Sequence, residues 1–346
     1  MYRWFLRPVL FCFPPETVHR MVISCIKYLF FIPGLNSVFH KLFFVKKSNI
    51  NIDFAGINFK SIVGLAAGFD KNASVFNEFS SFGFSFVEIG TVTPLPQHGN
   101  KKPRSFRLKK DNALINRMGF NNVGADKVVE NLKKRRQGNL IIGGNIGKNS
   151  ITPNAEAIND YAICFEKLYD YVDYFVVNVS CPNISNLSEL QDPGQLKKIL
   201  EKLSDLRKKQ DTFKPILLKI SPDLKLKEID EIIRIYHETG IDGIVATNTT
   251  IRRVNLKTAD KKIINIGSGG LSGMPLTNRS TEIIRYISEK SHNSIPLIAV
   301  GGIMTAEDAM EKIAAGARLV QIYTGFIYNG PFLAKKINKL YLQRYN

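Results

Sequence analysis

The stretch VVNVSCPNIS, residues 176–185, delivers Asn178, Ser180, Cys181, Pro182 and Asn183 straight after an apolar run. A buried strand opening onto a polar, turn-rich tip has this order. At such a tip three roles are open to Cys181: a small core residue, a redox thiol, or a base that takes a proton. The last is chemically workable. A thiol of ordinary pKa, about 8.5, is somewhat under a tenth thiolate at about pH 7.4, and a nearby lysine or helix dipole raises that share. The four cysteines (12, 25, 164 and 181) form no CxxC pair and no framework spacing, which favours a reduced, intracellular setting over a secreted one. The five scattered histidines include no HExxH or other close pair, so no metal site is expected.

Whatever Cys181 does, other elements must position it. Short β-rich runs recur at 61–66, 85–90, 140–147, 174–180, 215–221, 243–249, 296–302 and 319–325. Helical patterns lie between most of them, at 123–136, 155–171, 194–210, 226–239, 277–290 and 305–315. Eight apolar strands alternating with helices predict a parallel sheet, and eight is the number that closes an α/β barrel. A doubly wound open sheet is the alternative, but it usually carries GxGxxG after its first strand, and this chain has none there. With 346 residues, such a barrel leaves some 50 to 100 residues over, since the fold needs about 250.

The strand ends are chemically alike. They carry Ala67-Gly68-Phe69-Asp70-Lys71, Gly90-Thr91, Asn145, Asn178, Lys219, Thr247-Asn248-Thr249, Gly301-Gly302 and Tyr323-Thr324-Gly325. In a barrel these ends converge on one face, where active sites sit. Glycines after the last two strands allow close backbone approach to a phosphate. Asparagine amides offer both a donor and an acceptor, which suits a ligand edge of alternating C=O and N–H groups, such as a pyrimidine or a flavin ring. Flavin mononucleotide would use the phosphate and ring sites together.

Residues 1–50 differ. Arg3, Arg7, Arg20, Lys27, Lys41, Lys46 and Lys47 stand against one acid, Glu16. Val18, Val22, Cys25/Ile26 and Leu29 recur at helical spacing, as do Leu35, Val38, Phe39, Leu42 and Phe43, with Pro33-Gly34 between the two sets. No apolar run approaches the ~20 residues a membrane span needs, and no signal-peptide pattern is present. Two readings stay open: helices packed on their own domain, or an interfacial membrane patch in which Phe30, Phe31, Phe39, Phe43 and Phe44 meet lipid and the cations meet anionic headgroups. The net charge of +18 is likewise either a solvated lysine-rich surface or attraction to an anionic membrane, nucleic acid or substrate.

On these motifs the chain resembles the dihydroorotate dehydrogenases, specifically the membrane-associated, quinone-linked class. GLAAGFDK (64–71), EIGTVTPLPQHGNKKPR (88–104), LINRMGFNN (114–122), NIGKN (145–149), NVSCPN (178–183), KISPDL (219–224), ATNTT (246–250), GGLSG (269–273), AVGGI (299–303) and VQIYTGFIYNGP (320–331) follow the family in its order. The amphipathic hairpin, including PPETVH (14–19), resembles the extension that marks the quinone class.

The resemblance implies a (β/α)8 TIM barrel over 49–346, with residues 1–48 as a two-helix extension for membrane and quinone. It implies oxidation of dihydroorotate to orotate in pyrimidine biosynthesis. FMN would be held by Ala67, Gly68, Lys71, Thr91, Asn145, Asn178, Lys219, Thr247, Gly273, Gly302, Tyr323 and Thr324. The substrate would be held by Lys71, Asn116, Arg117, Met118, Gly119, Phe120, Asn178, Asn183, Asn248 and Thr249. Cys181 would be the base. Electrons would leave to a membrane quinone near His19 and Arg20. The implied protein is a monomer, peripheral on the cytoplasmic face of the inner (plasma) membrane, bound to anionic lipid and not to nucleic acid.

The departures cluster at the opening stretch. The quinone class usually has Ser where this chain has Cys181; the soluble classes have Cys. Ile184 replaces a hydroxyl residue of the family's proton path, and Ser185-Asn186 replaces Pro-Gly. A cysteine at the base position therefore leaves fumarate or NAD open as acceptor. A dihydrouridine synthase, which also pairs FMN with a cysteine, is the enzymatic rival. The NRMGFNN and ATNTT series speaks against it. A basic membrane or nucleic-acid scaffold is the non-enzymatic rival, and polar residues at strand after strand speak against that.

Overall fold

The computed structural model describes residues 2–45, 50–180, 190 and 192–345. Cys181, Asn183 and Ile184 lie outside the described residues, as does the boundary expected at 48/49. A short antiparallel hairpin, β1 (Ile52–Phe54) and β2 (Ile57–Phe59), opens the domain. The barrel strands are β3 (Val63–Leu65), β4 (Phe86–Val92), β7 (Ile141–Ile146), β8 (Tyr174–Asn178), β9 (Ile216–Ile220), β10 (Gly243–Ala246), β12 (Leu297–Val300) and β13 (Leu319–Ile322). They close in the order β10-β12-β13-β3-β4-β7-β8-β9, parallel throughout. The fold is the expected (β/α)8 barrel, and each expected strand is present within a few residues. The helices over Leu226–Thr239 and Thr277–Lys290 match their expected spans.

The strands read as continuous apolar runs because both faces are buried. Period two still divides them. Phe86, Tyr174, Val176, Leu217, Val245, Ile298 and Leu319 pack together inside the barrel, with Phe54 and Phe59 of the hairpin beneath them. Val63, Leu65, Val87, Ile89, Val177 and Leu218 face the helices. Two interior rings need glycine neighbours. A Cβ on Gly64 would lie 2.2 Å from the Phe86 ring, and one on Gly143 would lie 2.3 Å from the Tyr174 ring.

A second sheet lay outside the sequence reading. It is antiparallel, ordered β11-β6-β5, with β5 (Ser105–Leu108), β6 (Ala113–Asn116) and β11 (Gly270–Gly273). Its strands end at Asn116 and Gly273, both assigned to the site by resemblance.

The N-terminal region holds three helices where two were expected: α1 (Tyr2–Leu10), α2 (Pro15–Leu29) and α3 (Leu35–Phe43). Tyr2 Oη donates to Ile327 O (2.6 Å) and Arg7 to Tyr328 O (3.1 Å), which fastens α1 to the short helix Thr324–Asn329 after β13. Three of the five rings considered for lipid contact turn inward instead. Phe30, Phe39 and Phe43 lie with ring centres 5.4–5.8 Å from Phe82 of the barrel, and Phe44 stacks on His40. Phe31 remains outward, 72% exposed, with Trp4 (82%), Phe5 (71%) and Tyr28 (70%). Among the described residues no single helix is long and apolar enough to cross a membrane.

Candidate active site

The interior register that is apolar in the lower barrel turns polar one step further along the strands. Phe86 leads to Glu88, Gly143 to Asn145, Val176 to Asn178, Leu217 to Lys219 and Leu319 to Gln321. All five polar side chains are buried, Glu88, Asn145 and Gln321 completely. Their partners form one network. Glu88 Oε1 accepts from Asn145 Nδ2 (2.7 Å) and from Lys219 Nζ (3.2 Å); Glu88 Oε2 accepts from Gln321 Nε2 (2.6 Å). Asn145 Oδ1 accepts from Thr91 Oγ1 (2.5 Å) and Asn178 Nδ2 (3.2 Å), and Asn178 Nδ2 also donates to Thr91 Oγ1 (2.9 Å). Asn248 Nδ2 then donates to Asn178 Oδ1 (3.3 Å) and to Ser180 Oγ (3.1 Å).

Directions in this network follow from one group. A carboxylate only accepts, so Asn145 must point its NH2 at Glu88 and its oxygen at Thr91 and Asn178. That leaves Asn178 its own oxygen for Asn248. Burial, followed by the Glu88 and Asp173 carboxylates, drives the Tyr174 phenol well above its usual range, so it keeps its proton.

Above this floor a cavity of about 880 Å³ runs from the strand ends to the N-terminal helices. Its wall includes Ala67, Gly68, Lys71, Thr91, Asn178, Lys219, Thr247, Gly273, Gly302, Tyr323 and Thr324 from the expected cofactor set. It also includes Asn116, Met118, Gly119, Phe120, Asn248 and Thr249 from the expected substrate set, and His19 and Arg20 at the helical end. Among the described residues, two of those expected do not line it. Asn145 lies beneath, supporting Thr91 and Asn178. Arg117 turns away: its guanidinium donates to Ile266 O (2.5 Å) and Ser268 O (3.0 Å) and sits 4.7 Å from the centre of the Phe106 ring.

The loop carrying Met118 to Phe120 is held from below by side chains that sequence reading left out. Gln97 Nε2 donates to Gly119 O and Phe120 O, each at 3.1 Å, and Asn100 Nδ2 donates to Arg117 O (3.0 Å). Lys71 Nζ reaches Asn121 Oδ1 at 2.5 Å. Asp70 receives Ser74 N, Ser74 Oγ and Val75 N, all at 2.8 Å, and so locks the turn that presents Lys71. Near the last strands, a Cβ on Gly302 would stand 2.2 Å from Thr277 Cα, so only glycine lets the chain pass there at φ +73°.

The helical end of the cavity is built differently. Arg104 grips Glu16 of α2 with two hydrogen bonds, 2.8 and 3.2 Å, and Lys102 stands 3.6 Å from the same carboxylate. The Arg104 bond holds the Glu16 carboxyl below its usual range. His19 meets the Phe69 ring edge-on at 5.0 Å. Burial, reinforced by the Lys71 charge, pushes His19 down to about 4. Around them the wall is apolar: Val22, Ile23, Ile26, Phe39 and Phe82.

The donor set fits a phosphorylated flavin. The cavity lies in the volume range of cofactor pockets, about 300–1,000 Å³. A lysine and alternating amide and hydroxyl groups line one part, and glycine turns at 273 and 302 line another.

Comparison with known proteins places these features. The family model for dihydroorotate dehydrogenase matches residues 49–343. A dihydroorotate dehydrogenase (quinone) of Christiangramia forsetii is 54% identical over 344 residues, 99% of each chain. One of Coxiella burnetii is 45% identical, covering 97% of this chain and 95% of that relative. The crystal structure of the Eimeria tenella enzyme in complex with ferulenol superposes with a TM-score of 0.85 at 35% identity, over 95% of this chain and 91% of that one. Matched along its whole barrel by the family model and along nearly its full length by these relatives, the chain belongs to the dihydroorotate dehydrogenase family.

Proposed function

We propose that this chain oxidises dihydroorotate to orotate in pyrimidine biosynthesis, uses FMN as its cofactor, and passes the electrons to a membrane quinone. What carries the reading is the continuity of the cavity: one space is bordered by Lys219, Asn178 and Asn248 at the strand ends and by His19 and Val22 between the N-terminal helices.

Forming the C5=C6 double bond removes a proton from C5 and a hydride from C6. FMN, when bound, supplies the two-electron acceptor for that hydride. Ala67, Gly68, Thr91, Thr247, Gly273, Gly302, Tyr323 and Thr324 would hold it, with Asn145 supporting from beneath. Lys219 would offer it a positive charge, which favours the negative charge that reduction adds. Lys71 pairs with the substrate carboxylate. Asn116, Asn178, Asn183, Asn248 and Thr249 read the uncharged ring, and the 118–120 backbone borders it. Arg117 serves by holding that loop rather than by touching substrate. Cys181 takes the C5 proton as thiolate, a role a thiol fills with less help than a serine hydroxyl, which has essentially no alkoxide near neutrality. It therefore tolerates Ile184 in place of a hydroxyl.

At the other end His19 is neutral at pH 7 and offers an uncharged ring to a quinone carbonyl, with Arg20 nearby. Trp4, Phe5, Tyr28 and Phe31 point outward beside Arg3, Arg20 and Lys27. This suits residues 1–48 as an interfacial unit on anionic lipid, with the barrel 49–346 on the cytoplasmic side of the inner membrane.

Steady-state turnover with a quinone, fumarate and NAD⁺, compared side by side on the flavin-loaded protein, tests the reading. Quinone turnover is expected to exceed the others by more than tenfold. Equal or faster turnover with fumarate or NAD⁺ would refute the acceptor. Protein purified without a flavin absorption band would refute the cofactor.

A further inference from the structure

Glu88 lies in the middle of an apolar strand, fully buried, and does not line the cavity. A carboxylate in such a place needs compensation, because an unpaired buried charge is costly. Three donors supply it: Lys219 Nζ, Asn145 Nδ2 and Gln321 Nε2. The pairing works in both directions. Lys219 is itself 5% exposed. Glu88 stands 3.2 Å from it on the side away from the cavity, so its counter-charge lies beneath while its cavity side stays available.

We propose that Glu88 is a positioning residue of the redox step: from beneath the site it supplies the counter-charge of Lys219 and, through Asn145, fixes the direction of the Thr91–Asn178 hydrogen bonds. The inference rests on the reading of Lys219 as the flavin's cationic neighbour. Replacing Glu88 by glutamine removes the charge and puts an NH2 group where only acceptors now stand. Lys219 Nζ, which shares Glu88 Oε1 with Asn145 Nδ2, then loses its counter-charge, and the new NH2 group must face groups that now donate: Lys219 and Asn145 on one side or Gln321 on the other. The step that suffers is the two-electron reduction of the flavin, which gains negative charge beside Lys219.

The test is the reduction potential of bound FMN in the holoenzyme, measured with a reference dye, for the parent, Glu88→Gln, Glu88→Asp and Lys219→Met. Glu88→Gln is expected to lower the preference for reduced over oxidised flavin about tenfold, read as about 30 mV more negative for a two-electron couple. Lys219→Met should move it the same way by at least as much. Glu88→Asp, which keeps the charge, should stay within about threefold of the parent. A purely structural Glu88 would lower thermal stability and leave the potential alone. An unchanged or more positive potential in Glu88→Gln, with Lys219→Met shifted negative, overturns the role of Glu88. An unmoved potential in Lys219→Met removes Lys219 from the flavin, and the inference falls with that assignment. If Glu88→Gln does not fold, Glu88→Ala, which also removes the charge, takes its place with the same expected and overturning results.

Discussion

The two ends of the cavity are made of different material. At the strand ends, Glu88, Lys219, Asn145, Thr91, Asn178 and Asn248 form a closed polar network on rigid barrel strands, with donor and acceptor directions set by one carboxylate. At the helical end the wall is aliphatic and aromatic, and its polar anchoring is a set of separate contacts, among them Arg104 on Glu16, Tyr2 on Ile327 O and Arg7 on Tyr328 O. The first end presents a fixed pattern of charge and hydrogen bonds, of the kind that proton and hydride removal require. The second offers shape and an apolar path, which suits a lipid-soluble acceptor and tolerates variation. On the proposed function the two half-reactions would use the two ends separately, and substitutions should divide accordingly.

The largest separation is expected from Cys181→Ala. Removing a general base typically costs about 10²–10⁴-fold, so flavin reduction by dihydroorotate should fall by at least ~100-fold in rapid mixing at neutral pH. Re-oxidation of pre-reduced flavin by quinone should stay within about twofold. Flavin reduction at the parent rate would remove Cys181 from the base position. Glu16→Ala strikes the other end. It leaves Arg104, 7% exposed, without its carboxylate, so a stability loss of about 1–3 kcal/mol is expected. The quinone KM should rise severalfold with the dihydroorotate KM unchanged. A rise in both constants would mean the two ends are not independent.

The smallest effect is a pH dependence. His19 is pushed down to about 4 by burial and by the Lys71 charge, from an ordinary value near 6.5. Between these values the unfolded chain binds a proton that the folded chain refuses. Stability is therefore full above about pH 6.5 and falls as pH drops toward 4. His19→Asn should flatten that part of the melting-temperature profile. A variant profile identical to the parent's would show that His19 titrates normally.

Much of this was readable in the residues, and what was missed has physical reasons. The barrel strands announce themselves because both faces are buried, so each is an apolar run bounded by polar tips. The sheet β5-β6-β11 did not, since four-residue strands carry too little periodicity, and ALIN reads equally well as part of a binding motif. Helix α1 was hidden by Pro8, which sits at the start of its α-helical part, where proline is tolerated. The inward turn of Phe30, Phe39 and Phe43 depends on Phe82, a tertiary partner some 40 to 50 residues away that helical spacing does not name. Arg117 was carried into the site by its neighbours, but its side chain follows backbone carbonyls outward. Glu88 and Gln321 had a signal that went unused. A charged or amide residue two positions after an interior ring or leucine must lie on the same face, inside the barrel.

The division into two ends is tested most directly by blocking the helical end alone. Val22 lines the cavity between the N-terminal helices, far along it from Lys219, and Val22→Trp would fill that space. Rapid mixing of the holoenzyme then reads each half-reaction separately: flavin bleaching by dihydroorotate, and recovery of colour with quinone. The account predicts recovery slowed more than tenfold with bleaching within twofold of the parent. Recovery at the parent rate, or equal slowing of both steps, would contradict it.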